Sequence, residues 1–186
     1  LSIDFIKWDS TPRFHKYLTI TEKIDGTNAC IRILDGELTT QSRKRLITPD
    51  DDNFGFARWA YENAGALTDV LGYGVHFGEW FGEGIQKNPL GIEGKRFAHF
   101  SPWKFNDVEK ERIENSGLVE FVPVLFEGQA DYNTIPTVIN NLMAFHSYVP
   151  GAKWDAKAEG IIVWHRETQQ KYKILLENDS VHKGEQ

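Results

Sequence analysis

Apolar residues recur among polar ones over positions 18–33, and the pattern is interrupted at Asp25-Gly26. That pattern predicts two strands joined at a tight turn. A second turn signal, Asp35-Gly36, leads into a return strand at 37–42. Pro49 and the three aspartates Asp50, Asp51 and Asp52 predict a helix start with acidic residues in its first turn. Phe56, Trp59, Ala60, Asn63 and Leu67 then recur at helical spacing. Downstream, strands are expected at 75–81 and, as one continuous element, at 119–126. A short extended piece is expected at 97–100 and a polar helix at 106–115. Residues 133–145 read as a helix with an early proline and an apolar face of Ile135, Ile139, Leu142 and Met143. Two last strands, 161–165 and 172–176, flank the polar stretch 166–170, and loops fill 89–94 and 148–157. Helices inserted among antiparallel strands give an α+β fold, antiparallel-rich sheets flanked by helices, over one domain spanning 1–186.

Composition narrows the class. With 40% hydrophobic and 13% aromatic residues the chain can bury a core and is not disordered. No apolar run approaches the roughly 20 residues of a membrane helix. Cys30 is the single cysteine, so no internal disulfide forms, and a reducing, cytoplasmic setting is expected. The chain begins at Leu1 without a leader pattern, so a trimmed N-terminus is expected. A net charge of -6 argues against a protein that coats long duplex. Basic residues cluster locally, at Arg43-Lys44-Arg45, Lys95-Arg96 and Lys171/Lys173, which suits a nucleotide site that also holds a polynucleotide end.

Four segments carry chemistry. Lys23 ends a strand at Lys23-Ile24-Asp25-Gly26, so a rigid element aims a potential nitrogen nucleophile. Glu79 lies in an apolar strand between Gly78 and Gly82, where glycines permit close approach. Glu159 directly precedes the five-residue apolar run 160–164, and a carboxylate at such a strand mouth wants a cation or a metal. Lys171 and Lys173 project to one face, where two ammonium groups repel unless an anion lies between them. Taken singly, each has a plain reading: a solvated strand end or an exposed amphipathic strand. Together they suit attack of a lysine on the α-phosphate of a nucleoside triphosphate. Rival phosphate motifs fail. The segment 89–96 lacks the first glycine and the final Ser/Thr of a P-loop, and the six histidines show no paired metal-ligand spacing.

In this order and spacing the segments resemble the covalent nucleotidyltransferases, the polynucleotide ligases and messenger-RNA capping enzymes. Lys23 to Gly26 matches the lysine-nucleophile motif. Ser42-Arg43 falls where an arginine follows the nucleophile. The Glu79 strand, the Glu159-Gly160 segment and Lys171-Tyr172-Lys173 match the later motifs. The surroundings of Lys23 and Glu79 look most like type-2 RNA ligases. The resemblance implies a nucleotidyltransferase fold and an ATP-dependent RNA ligase that forms a covalent lysyl-AMP and seals 3′-hydroxyl and 5′-phosphate ends. It implies a catalytic group of Lys23, Asp25, Lys171 and Lys173. It further implies nucleotide contacts from Glu22 (through its backbone), Gly26, Arg43, Glu79, Phe100, Glu159 and both lysines, with Phe97 and Trp103 as rivals of Phe100 for stacking on the base. Glu159 would hold Mg2+ or Mn2+. The partner would be a nicked or broken polynucleotide, RNA first, bound by a monomer with no membrane. An OB-fold or other C-terminal domain is not expected, since few residues follow Lys173.

Alternatives within the resemblance are a minimal DNA ligase and a GTP-using capping-type enzyme; outside it stands a non-catalytic nucleotide- or end-binding module. A shared site also sets a geometric demand, that Glu159, Lys171 and Lys173 face one pocket. A five-residue loop at 166–170 is the first expected means of meeting it, and a bulge at Gly160 the second.

Overall fold

A computed structural model describes residues 4–11 and 16–177. Strand β1 (Tyr17–Lys23) runs into β2 (Thr27–Leu34) through the Asp25-Gly26 turn. Then follow β3 (Glu37–Ser42), β4 (Leu46–Ile47), α1 (Phe56–Glu62), α2 (Ala64–Leu71), β5 (Gly74–Gly82) and β6 (Lys95–His99). A 3₁₀ turn at Pro102–Lys104, α3 (Asp107–Asn115), β7 (Val119–Phe121), β8 (Val124–Gln129), α4 (Thr134–Phe145), β9 (Gly160–His165) and β10 (Gln170–Leu175) complete the described chain. The mixed, antiparallel-rich α+β architecture agrees with the expectation. The expected content of the tail after Glu177 lies outside the described residues.

The strands form two sheets, ordered β10-β9-β1-β8 and β4-β3-β2-β5-β6-β7. Each buries one face under helices. Leu18 and Ile20 of β1 pack with Ile161 and Val163 against Val138 and Leu142 of α4. Ala29, Ile31 and Ile33 of β2 pack with Trp80 and Phe97 against Phe56, Ala60 and Leu67. A third cluster of Ile24, Phe81, Leu90, Ala98, Val122 and Val149 joins the inner faces of the two sheets. The β1–β2 connection therefore carries the chain from one sheet to the other directly behind Lys23.

Three expectations need correction. The single strand at 119–126 is two strands in different sheets, β7 parallel to β6 and β8 antiparallel to β1. Pro123 stands at the break. It has no N–H to give a ladder, and its carbonyl accepts the Glu22 N–H at 2.9 Å. The first helix starts at Phe56 rather than at Pro49, because Thr48 and Asp51 bridge around a Pro49-Asp50 turn. Asp52 instead caps that helix from outside, its carboxylate accepting the N–H groups of Ala57 (2.7 Å) and Arg58 (3.0 Å). Finally, the β9–β10 connection has four residues, not five, and the β9 register runs without a bulge at Gly160. Gln169 takes the left-handed conformation, and the Thr168 N–H reaches His165 Nδ1, which tightens the turn by one residue.

Candidate active site

Lys23 is the last residue of β1 and pairs with Gly160, which pairs in turn with Leu175. Direct partners share a face. Lys23 and Thr21 of β1, Ile162 and Trp164 of β9, and Lys171 and Lys173 of β10 thus share the inner face of the four-stranded sheet. The shorter loop puts both lysines opposite even-numbered residues of β9, away from Ile161 and Val163. Neither expected means of bringing Glu159 to the lysines' face is present, and Glu159 lies one residue outside the ladder. Its backbone carbonyl accepts the Leu176 N–H at 3.0 Å, and its carboxylate forms an ion pair with Lys23 Nζ. Gly160 lies flat against the Ile174 carbonyl and leaves no room for a Cβ. Lys171 and Lys173 are exposed, and they share Lys23's face rather than its ion pair.

Glu79 faces this group from the other sheet. It is 7% exposed, and burial pushes its carboxyl up to about 7. The Lys23 charge and a 3.1 Å hydrogen bond donated by Asn28 Nδ2 pull the other way, while Glu159 and Asp25 push it up further. Asn28 is the direct cross-strand partner of Glu79. Gly26 makes the approach possible, since a Cβ there would meet the Trp80 carbonyl oxygen at 2.5 Å and the side chains of Phe81 and Glu79. The charges of Lys23, Glu159 and Asp25 therefore all act on Glu79 across the two sheets.

Glu22 points away from that cluster. It is 1% exposed, with Oε1 accepting from Ser147 Oγ at 2.6 Å and Oε2 from the Tyr148 N–H at 2.7 Å. Burial raises its carboxyl and these hydrogen bonds counter that rise. Its side chain ties β1 to the 146–157 loop, leaving only its backbone near the inner face. Arg43 lies exposed in the β3–β4 turn, one residue past Ser42, whose partner Ala29 adjoins Asn28. Among the three aromatic rivals, Phe97 is excluded, because it is fully buried in the helix-side core against Phe56 and Trp59. Phe100 is half-buried on the joining cluster, beside Phe77, whose carbonyl accepts the Phe100 N–H at 2.9 Å. Trp103 stacks on Trp164 with ring centroids 4.6 Å apart and planes at 15°. That stack connects the flank of one sheet to the inner face of the other.

Sequence reasoning missed Asn28, Ser147 and Trp164. Asn28 was within reach, because it stands in the Lys23 segment at the second strand position after the turn. Ser147 carried no signal, lying 125 residues from its partner. Two surface hollows, one at Val124 and Asn141 and one at Arg96 and Glu120, are not lined by Lys23, Glu79 or Glu159.

The family model for RNA ligase matches residues 16–175. No curated protein sequence matches the chain. Among solved structures, a Naegleria gruberi RNA ligase mutant in apo form is 18% identical with a TM-score of 0.63, over 86% of this chain and 49% of that one. The Naegleria gruberi RNA ligase with PPi gives 18% and 0.62 over 86% and 49%. A mutant of it with ATP and Mn gives 18% and 0.62 over 87% and 50%. This chain spans about half the length of those proteins, and at that identity the likeness is one of fold.

Proposed function

Because the chain belongs to the RNA ligase family, as the match over residues 16–175 shows, we propose that it is the nucleotide-transferring part of an ATP-dependent RNA ligase of the covalent nucleotidyltransferase type, nearest the type-2 enzymes. The observation that carries this reading is the Lys23 ammonium at a strand end, ion-paired with Glu159 and facing buried Glu79. Lys23 Nζ attacks the α-phosphorus of ATP. An N–P bond forms as the bond to pyrophosphate breaks, so the lysine ammonium and ATP give lysyl-AMP, pyrophosphate and two protons. Glu159, which touches Nζ, can accept the first of them. The AMP then passes to a 5′-phosphate, and a 3′-hydroxyl displaces it.

Lys171 and Lys173 support the phosphate end. From ladder spacing, Lys173 lies about 7 Å along the sheet and about 10 Å across it from Lys23. Long side chains from both can thus meet one phosphate. Glu79, held by Asn28, offers acceptors to ribose hydroxyls, and Phe100 or Trp103 offers a ring to the base. The donor set also fits a divalent cation. Glu79, Glu159 and Asp25 crowd negative charge around Lys23, and among the described residues no three-ligand cage exists to favour a tightly caged ion. Magnesium or manganese commonly binds one or two carboxylates plus phosphate oxygens, and a Glu159 oxygen turned from Lys23 suits that role. When bound, such an ion screens the triphosphate and the leaving pyrophosphate.

Intact-mass spectrometry after incubation with ATP and magnesium or manganese tests the reading. The expected result is a covalent AMP adduct on the wild-type chain and none on Lys23→Ala. Absence of an adduct on wild type, or an undiminished one on Lys23→Ala, overturns it. An adduct with GTP instead moves the chain to the capping-type alternative.

A further inference from the structure

The inner face of the six-stranded sheet continues well past Glu79. Side chains alternate, so Asn28, Cys30 and Arg32 of β2 share that face with Thr39 and Gln41 of β3 and with Val75, Phe77 and Glu79 of β5. The register sorts them into rows: Asn28 beside Glu79, then Gln41-Cys30-Phe77, then Thr39-Arg32-Val75. The opposite face of these strands is helix-covered core. On this face Glu79 and Cys30 are buried, at 7% and 2%, but several of their neighbours are not. Phe77 is 49% exposed, and Arg32, Thr39, Gln41 and Val75 are partly exposed. Arg32 has no carboxylate partner among the described residues. The charges of Arg32 and Lys104 both act at Cys30 in the middle row. The strip begins at the Lys23–Glu79 cluster and runs about 13 Å to the Arg32 row. It stops at Glu37, whose carboxylate occupies the next position on β3.

We propose that this strip is a track for the single-stranded end of an RNA, with one base stacked on Phe77 and one phosphate held by Arg32. An exposed ring on an open sheet, flanked by a free guanidinium and amide and hydroxyl groups, is the chemistry that grips unpaired nucleotides. Thr39 and Gln41 supply hydrogen-bonding groups for a 2′-hydroxyl. In a chain of net charge -6 an unpaired cation on this face complements a polyanion. The track begins where the adenylylated lysine would hand its AMP to a 5′-phosphate, so the inference rests on the ligase reading.

The test is fluorescence-anisotropy titration of a labelled, 5′-phosphorylated single-stranded RNA at several salt concentrations. Adduct formation with ATP is measured in parallel on the same proteins. Phe77→Ala is expected to weaken RNA binding roughly 5- to 150-fold with an unchanged salt slope, Phe77→Tyr to retain binding, and Phe77→Leu to behave like alanine. Arg32→Gln is expected to lower the slope of log affinity against log salt by about 0.7. Wild-type RNA affinity in Phe77→Ala, or full rescue by leucine, overturns the proposal and leaves the face to a covering protein domain. Loss of the AMP adduct in wild type overturns the ligase reading instead, and the two failures are read from separate assays.

Discussion

Glu22 and Glu79 are both withdrawn from water, at 1% and 7% exposure, and burial raises both carboxyls. Their surroundings differ. Both oxygens of Glu22 are engaged by donors from one loop, and that carboxylate has no further work to do. Glu79 receives one hydrogen bond, from Asn28, and meets Lys23, Glu159 and Asp25 through their charges. A buried carboxylate with its acceptors filled is a tie. One with capacity left over, facing a cation and two further carboxylates, is a site waiting for donors. The polypeptide sets the two side by side, because β1 turns Glu22 outward and Lys23 inward at consecutive positions.

The largest expected effect that sharpens this contrast comes from Lys23→Ala. The AMP adduct should vanish in intact-mass measurement, and Glu79 should titrate still higher, having lost the cation that opposes its burial. Glu22 should not respond, and a common shift of both in carboxyl NMR would dissolve the distinction. Next in size, Glu22→Ala strands the Ser147 hydroxyl and the Tyr148 N–H. It should cost about 3 kcal/mol, read as a fall in Tm of about 6–12 °C. Glu79→Gln should leave Tm at pH 8 unchanged or raised, because it removes a buried charge whose burial outweighs the opposing Lys23 charge and Asn28 hydrogen bond. It should slow adduct formation about tenfold, the worth of one hydrogen bond to a charged group. A destabilisation equal to that of Glu22→Ala would show Glu79 to be a second tie.

The smallest effect is in pH dependence. Folded Glu79 titrates near 7 against an ordinary value of 4.5, so between those values the folded chain binds the extra proton. Its contribution is fully present below about 4.5 and is lost as pH rises through 7. The difference in stability between wild type and Glu79→Gln should therefore change by at most about 1.4 kcal/mol per pH unit over that window. His99 works in the other direction. Burial lowers it from 6.5 to about 3, so its contribution is present above 6.5 and lost as pH falls. Equilibrium denaturation across pH, with the Glu79→Gln curve subtracted, separates the two.

The sequence made the first hairpin, the Glu79 strand and the order of the charged segments legible, because each depends on neighbours within a few residues. Lys23 at a strand end before Asp25-Gly26 is such a local matter. The break at Pro123 was not legible in the same way. Pro123 marks a place where a ladder can fail, but the flanking residues are strand-forming on both sides, and only the arrangement of two sheets decides that the chain changes partners there. The helix start was misread because Pro49 and the aspartates satisfy the rules for a helix terminus equally well as a turn and a remote cap. The β9–β10 loop length turned on one left-handed residue, Gln169, which composition does not mark. Ser147 and Trp164 reach their partners across the whole fold, and nothing in their own segments announces those partners.

The Trp103–Trp164 stack has an optical consequence. Two indoles 4.6 Å apart and nearly parallel share their excited states, so their absorption bands couple and split, and each partner quenches the other's emission. One ring rides on the segment that follows β6 and the other on β9, so the coupling falls steeply if the two walls separate. Any guest that wedges the sheets apart at this end replaces a coupled pair of chromophores with two independent ones. Trp59 and Trp80, 4.9 Å apart in the helix-side core, couple as well, so the gap is read without a label from the change in the tryptophan bands that Trp103→Phe abolishes.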